Sequence, residues 1–303
     1  MSAPHSERRF LPDFLVIGGM KCATTTMHSD LSQHPSIECG QKELNAMTMF
    51  GDSSLGRGSP SEIYANNFRD MNGSVLLGDV STTYSMIPDH PDVPACALEL
   101  LGTKLKIIYI VRQPVQRTIS HHQHMMNQAE GLGPDINLEI NREPALIQYS
   151  CYAEQLEPWL DRFGRESILV VKFEDYVADR AGIVSNVFSF LGLNAYSIST
   201  EDDGANRTGT ARVAGPTIRR VVRSSMFQRI ARPLMPTFLR DWMKPVLLRK
   251  TKHATIAPTI ETVDKILKAV RPDMERLQQM VGWSEPAWDL DEVRDSFLEA
   301  EDA

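Results

Sequence analysis

A chain of 303 residues, 42% hydrophobic and 23% charged, has the make-up of an ordinary soluble globular protein, large enough for one α/β domain or two smaller ones. Its net charge of −7 argues against nucleic acid as a partner. The four cysteines lack CxxC or zinc spacing and read as reduced thiols. No apolar run is long enough to span a bilayer, and MSAPHSERRF carries no signal-like apolar core.

Residues 1–12 are polar and expected to fray. Residues 14–17, FLVI, form a short apolar run of the kind a strand buried on both faces gives. Gly18-Gly19 permits a sharp turn. Thr24, Thr25 and Thr26 supply hydroxyls where a helix would begin, Met27 and Leu31 recur at i, i+4, and His34-Pro35 closes the helix. Residues 36–39 read as a second strand, 51–60 as loop, 62–71 as a helix, 75–79 as a strand, 88–94 as a turn-rich linker and 95–101 as a helix. The strongest strand spans 105–111. Pro114 suits the first turn of a helix running past His124, and 127–143 is expected to loop over the active face. Residues 145–163 read as one amphipathic helix and 168–171 as a buried strand, with Asp175 capping a helix that ends near Phe190. Residues 259–280 form another amphipathic helix, with Gly282 as its C-cap. Strands alternating with helices predict an α/β fold, a mainly parallel sheet flanked by helices. Ligands of such sheets bind beyond the carboxyl ends of the strands, where Lys21, Asp79 and Arg112 fall.

A helix N-terminus, a lysine and several hydroxyls at a strand end make a site for phosphate or sulfate. The lysine of a Walker A loop follows its last glycine, whereas Lys21 follows Gly18-Gly19-Met20 directly. Lys21-Cys22-Ala23-Thr24-Thr25-Thr26-Met27 resembles instead the 5′-phosphosulfate loop of sulfotransferases that use 3′-phosphoadenosine 5′-phosphosulfate (PAPS), K-[CAG]-G-T-[TS]-[ST]-L. Ala23 replaces the usual glycine, which matters if position 23 needs a positive φ. Residues 107–120, IIYIVRQPVQRTIS, resemble the family's 3′-phosphate motif, a hydrophobic strand, Arg-[DQN]-Pro and a serine eight residues after the arginine. Ser120 would lie about 9 Å along a helix begun at Pro114, within reach of Arg112 beside it. Gln113 stands where aspartate is usual.

Lys42-Glu43 resembles the pair found in heparan-sulfate-type and many bacterial sulfotransferases, in which the glutamate is the catalytic base. The resemblance implies that Glu43 takes the acceptor's proton while Lys21 offsets charge on the leaving nucleotide. Asn45 replaces the auxiliary histidine of Lys-Glu-Pro-His. Residues 78–84 resemble Gly-Glu-x-[ST]-Pro-x-Tyr near the acceptor, so Lys42, Asn45, Asp79, Ser81 and Tyr84 are expected to bind substrate. Val80 stands where heparan enzymes carry a lysine, which argues against a highly anionic polysaccharide. The helix of Tyr152 and Trp159 resembles the family's tyrosine helix and is equally well explained as core. Residues 206–212 resemble Asn-x-Ser-Gly-x-x-Arg, placing Arg207, Gly209 and Arg212 on the nucleotide with Lys21, Cys22, Ala23, Thr24, Thr25, Thr26, Arg112 and Ser120.

Over residues 12–215 the resemblance implies a P-loop-NTPase-like sulfotransferase fold, with 1–303 a single domain, and transfer of a sulfuryl group from PAPS to a hydroxyl of a small-molecule, glycan or lipid-like acceptor, leaving 3′-phosphoadenosine 5′-phosphate (PAP). His121, His122 and His124 have no carboxylate or cysteine at ligand spacing, so no metal is expected. Golgi members carry an N-terminal membrane helix that this sequence does not show, so it reads either as a shortened chain or as a cytoplasmic enzyme of bacterial type, the second being the expectation. Residues 215–252 hold ten Lys or Arg against one acid, with Met226, Phe227, Phe238 and Trp242 interleaved. They read either as solvated basic helices or as an acceptor-side or lid surface for an amphiphilic acceptor, with peripheral membrane contact. The alternatives are an ATP- and Mg²⁺-dependent kinase, disfavoured by the misplaced lysine, and a non-catalytic PAP-binding protein, disfavoured by Lys21 with Glu43.

Overall fold

The computed structural model describes residues 10–49, 58–68, 75–127, 132–200, 212–214, 248–250 and 255–301. Five strands form one parallel sheet: β1 (Phe14–Gly18), β2 (Ile37–Cys39), β3 (Leu76–Val80), β4 (Lys106–Val111) and β5 (Ile168–Lys172), in the order β2-β3-β1-β4-β5. All five therefore end at the same edge. The helices are α1 (Thr24–Leu31), α2 (Pro60–Asn67), α3 (Val93–Leu101), α4 (Pro114–Asn127), α5 (Ile136–Glu139), α6 (Ala145–Gln148), α7 (Tyr152–Phe163), α8 (Phe173–Ala178), α9 (Arg180–Phe190), α10 (Ile260–Val281) and α11 (Leu290–Glu301). A separate antiparallel pair joins β6 (Arg212–Ala214) to β7 (Leu248–Lys250).

The unbroken apolar runs of β1 and β4 follow from burial on both faces. Leu15, Ile17, Ile107, Tyr109 and Val111 pack with Val93, Leu156, Trp159 and Leu277 of α3, α7 and α10. Phe14, Val16, Ile108 and Ile110 point the other way, against Met27 and Leu31 of α1 and Val184 and Phe188 of α9. Each fully buried aliphatic side chain contributes roughly 1.5–3 kcal/mol to this three-layer core. The α/β class and parallel sheet are as the sequence predicts.

Several boundaries differ from expectation, each for a local reason. The helix expected at 62–71 begins at Pro60, because Ser59 accepts from the Glu62 N–H while Glu62 reaches back to the Ser59 N–H. The polar stretch expected as loop contains α5, capped by Asp135. The single helix expected at 145–163 is two helices. Arg117 and Thr118 of α4 both donate to the Leu146 carbonyl, which a continuous helix would need, and Asp273 of α10 receives the N–H groups of Ala153 and Glu154 at 2.9 Å each. Asp179 rather than Asp175 caps α9, receiving the Gly182 N–H at 2.9 Å. The helix expected at 259–280 is α10, closed by Gly282 at φ 73°. Helix α11 was not anticipated; it packs Leu290 beside Val263 and Leu267 of α10 and Val115 of α4. Apart from 248–250, residues 215–252 lie outside the described residues.

Candidate active site

The turn after β1 is shaped by close approach. A Cβ on Gly18, whose φ is +147°, would meet Ser85 Oγ at 2.1 Å, so only glycine lets the 3₁₀ turn Thr82–Ser85 sit against the strand end. The Gly19 N–H is held by the Ile110 carbonyl at 2.5 Å, and the Cys22 N–H by the Gly19 carbonyl at 3.2 Å. Lys21 and Ala23 both have positive φ, 69° and 61°. Ala23 is the N-cap of α1 and makes no side-chain cap to the first turn. Thr25 is exposed and Thr24 buried. The Cys22 thiol is fully buried in the core, where burial pushes its pKa up to about 12, and it donates to the Met20 carbonyl of the loop at 3.6 Å.

Position 23 thus needs the left-handed backbone that glycine adopts freely. Ala23→Gly is expected to stabilise the protein by about 1 kcal/mol, read as a higher urea midpoint at unchanged m-value. A lower midpoint would mean that the chain entropy added by glycine outweighs the relieved strain.

Arg112 leaves the end of β4 beside this loop. Its backbone is clamped by Tyr152, whose hydroxyl donates to the Arg112 carbonyl at 2.6 Å and accepts from the Arg112 N–H at 3.3 Å. Tyr152 is therefore more than core packing. The guanidinium donates to the Lys21 carbonyl at 3.1 Å and lies over the Phe173 ring, 4.5 Å from its centroid. Gln113 does the work of the usual aspartate in two parts. Its side-chain carbonyl accepts the Gln116 N–H at 2.5 Å, and its own N–H is received by Glu174 of α8 at 2.9 Å, which restores an acid at the start of α4. Ser120 is half-buried on α4.

Glu43 stands beyond the end of β2, with its N–H bonded to the Val80 carbonyl at 2.9 Å. Its carboxylate accepts from the Thr82 N–H at 2.9 Å, from Thr82 Oγ1 at 3.1 Å and 3.3 Å, and from Lys42 Nζ at 2.5 Å. Glu43 and Asn45 also have positive φ, 61° and 53°. The four non-glycine residues with positive φ among the described residues thus all lie in the two loops of this site. Burial, then repulsion from Arg112 and Lys42, holds the Lys21 pKa below its ordinary value, against an opposing pull from Cys22. Lys21 thus stands within electrostatic reach of Arg112 and Lys42, and Lys42 is paired with Glu43, so positive charge is concentrated between the two loops, an arrangement that attracts an anion.

Other expected residues are placed differently. Asp79, Ser81 and Tyr84, expected at the acceptor, are fully buried behind Glu43 and bonded to one another, so none presents a surface there. Val80 is 1% exposed within the core. Asn45 is half-buried, its side-chain carbonyl receiving Thr83 Oγ1 at 2.6 Å. Arg207 and Gly209 lie outside the described residues, and only the backbone of Arg212 is described, as the start of β6.

His124 is the residue that sequence reasoning set aside. It lies on α4 one turn beyond Ser120, is half-buried, and has its pKa held down by burial and by Lys21 and Lys42, with Glu43 opposing. The i, i+4 spacing from Ser120 was the available signal.

A family model described as the sulfotransferase domain matches residues 11–204. Heparan sulfate glucosamine 3-O-sulfotransferase 3B1 of Mus musculus is 29% identical over 194 residues, 60% of this chain and 46% of that protein. Bifunctional heparan sulfate N-deacetylase/N-sulfotransferase 1 of Caenorhabditis elegans is 24% identical over 207 residues, 64% of this chain and 23% of that protein. The matches thus span less than half the length of these relatives. A crystal structure of a sulfotransferase from Alicyclobacillus acidocaldarius is similar in fold, with a TM-score of 0.60 at 20% identity, covering 90% of this chain and 96% of that one.

Proposed function

Because the chain belongs to the sulfotransferase domain family, we propose that it transfers a sulfuryl group from PAPS to a hydroxyl of its acceptor, with Glu43 taking the acceptor's proton. The observation that carries this reading is the meeting of two charged loops at the carboxyl ends of one parallel sheet: Arg112 holds the Lys21 carbonyl, Lys42 pairs with the Glu43 carboxylate, and Lys21 feels the charge of both Arg112 and Lys42. The residues suit a bisphosphorylated nucleotide. The left-handed loop and the uncapped start of α1 offer N–H groups to one phosphate, and Arg112 with Ser120 offers a fork of donors and a hydroxyl to the other.

When bound, PAPS supplies the sulfuryl group, whose sulfur gains a bond to the acceptor oxygen as its bond to the nucleotide's bridging oxygen breaks. Glu43 takes the proton that the acceptor oxygen loses. Lys21 would offset the negative charge left on the nucleotide, and Lys42 holds one Glu43 oxygen while the Thr82 N–H orients the other. Val80 is buried in the core and does not line the site, so the acceptor is assigned by its hydroxyl alone. The test is a thermal shift with PAP set against ATP plus Mg²⁺, then a mass-spectrometric screen of hydroxylated acceptors for the gain of one sulfuryl group. Stabilisation by ATP plus Mg²⁺ but not by PAP would hand the site to a kinase.

The lowered Lys21 pKa sets a pH dependence. A bound anion favours the protonated amine, whereas the free site disfavours it. Nucleotide affinity is therefore expected to be full at neutral pH and to fall as pH rises through the depressed Lys21 value, at a lower pH than an ordinary lysine would give. Titrating PAP across this range checks it. Lys21→Arg, which stays charged, should flatten the alkaline limb, and an unchanged limb would assign it to another group.

A further inference from the structure

Asp79 ends β3 fully buried, and the groups that meet its carboxylate are three hydroxyls. Tyr64 and Tyr84 donate to Oδ2 at 2.8 Å and 2.6 Å, and Ser81 donates to Oδ1 at 2.7 Å. The polarity of this cluster has a consequence. Ser81 spends its one proton on Asp79, so its oxygen faces Asn45 as an acceptor, and it receives the Asn45 N–H at 3.1 Å. That bond and the Glu43 N–H to the Val80 carbonyl at 2.9 Å brace a turn in which Glu43 and Asn45 hold a backbone that non-glycine residues seldom adopt. The residue after Ser81 is Thr82, which supplies two donors to the Glu43 carboxylate. The Ser81 N–H is fixed in turn by the Val16 carbonyl of β1 at 3.1 Å, next to the anion loop.

We propose that Asp79 is a positioning residue, which through Ser81 fixes the Glu43–Asn45 turn and the Thr82 donors and so sets where the Glu43 carboxylate stands relative to the anion loop. This rests on the reading of Glu43 as proton acceptor. The carboxylate serves here because three donors must converge on it while a serine oxygen stays free to accept. An amide would put a donor at one of those places. The residues expected at an acceptor surface thus act from behind the loop that carries the base.

The test is Ser81→Ala, which cuts the relay and leaves both tyrosines on Asp79. The expected result is a kcat lower by about tenfold or more, with PAP affinity within about twofold of the parent, since the anion loop is untouched. Should Ser81→Ala fail to fold, Asp79→Asn, which is isosteric, carries the same expectation. Each change is repeated in a Glu43→Gln background, where it should lower kcat no further. A kcat within about twofold of the parent in the folded variant overturns the proposal, as does an equal loss in both backgrounds, because the cluster would then act on something other than Glu43. A parent-like rate in Glu43→Gln alone removes the base assignment itself, a failure seen without any change at Ser81 or Asp79.

Discussion

Glu43→Gln is expected to lower turnover by roughly 10²–10⁴ while PAP binds as before. The amide can keep the bond from the Thr82 N–H, so the turn keeps its shape, but it cannot take a proton at this strength. Lys21→Ala should differ in kind. It removes a cation from the anion loop, so nucleotide affinity and the chemical step fall together. Single-turnover rates with saturating PAPS, set beside PAP affinities, separate the two. A near-normal rate in Glu43→Gln would remove the base assignment. A loss confined to His124→Gln would move the role to the imidazole on α4, which shares the same group of charges.

Arg112→Ala should cost about 1.5–3 kcal/mol of affinity for the 3′,5′-bisphosphate and little for adenosine 5′-phosphosulfate, which lacks the 3′-phosphate. The strand end itself should hold, because Tyr152 grips the backbone of residue 112 and not its side chain. The guanidinium also donates to the Lys21 carbonyl, so some loosening of the anion loop is expected for both nucleotides. The difference between them is the quantity that reports 3′-phosphate recognition. Equal losses, measured by calorimetry, would mean that Arg112 serves only to hold the loop.

Much of this architecture could be read from local pattern. The apolar runs of β1 and β4, Pro114 at the start of α4 and Gly282 at the end of α10 are statements about neighbouring residues, and such statements survive folding. Ser59 and Glu62 carried the start of α2 just as openly, and composition alone hid it behind a glycine-rich stretch. What could not be read depends on partners far along the chain. The break between α6 and α7 is made by Arg117 and Asp273, neither of which belongs to the helix being interrupted. The acid at the start of α4 comes from Glu174, sixty-one residues away. The motif around Asp79 was visible, but its facing was not. Spacing places Asp79 and Ser81 near Glu43 and says nothing about which side chains point inward. The left-handed backbone at Glu43 and Asn45 is likewise invisible at positions that are not glycine, whereas at Ala23 the glycine usual in the motif pointed to it.

The strand order has an engineering consequence. Because β1 lies at the centre of the sheet, the described groups assigned to the nucleotide follow β1 and β4, while the Glu43 turn and its brace come from β2 and β3 on the other side. At the site the two halves meet where Gly18 touches Ser85 and Val16 holds Ser81, and behind it α7 ties them together through Trp159 on the Tyr84 carbonyl and Gln155 on the Ile87 N–H. A chimera that imports the β2–β3 half from a relative, with its own matched seam residues, would exchange acceptor preference as a cassette while leaving donor recognition with the host.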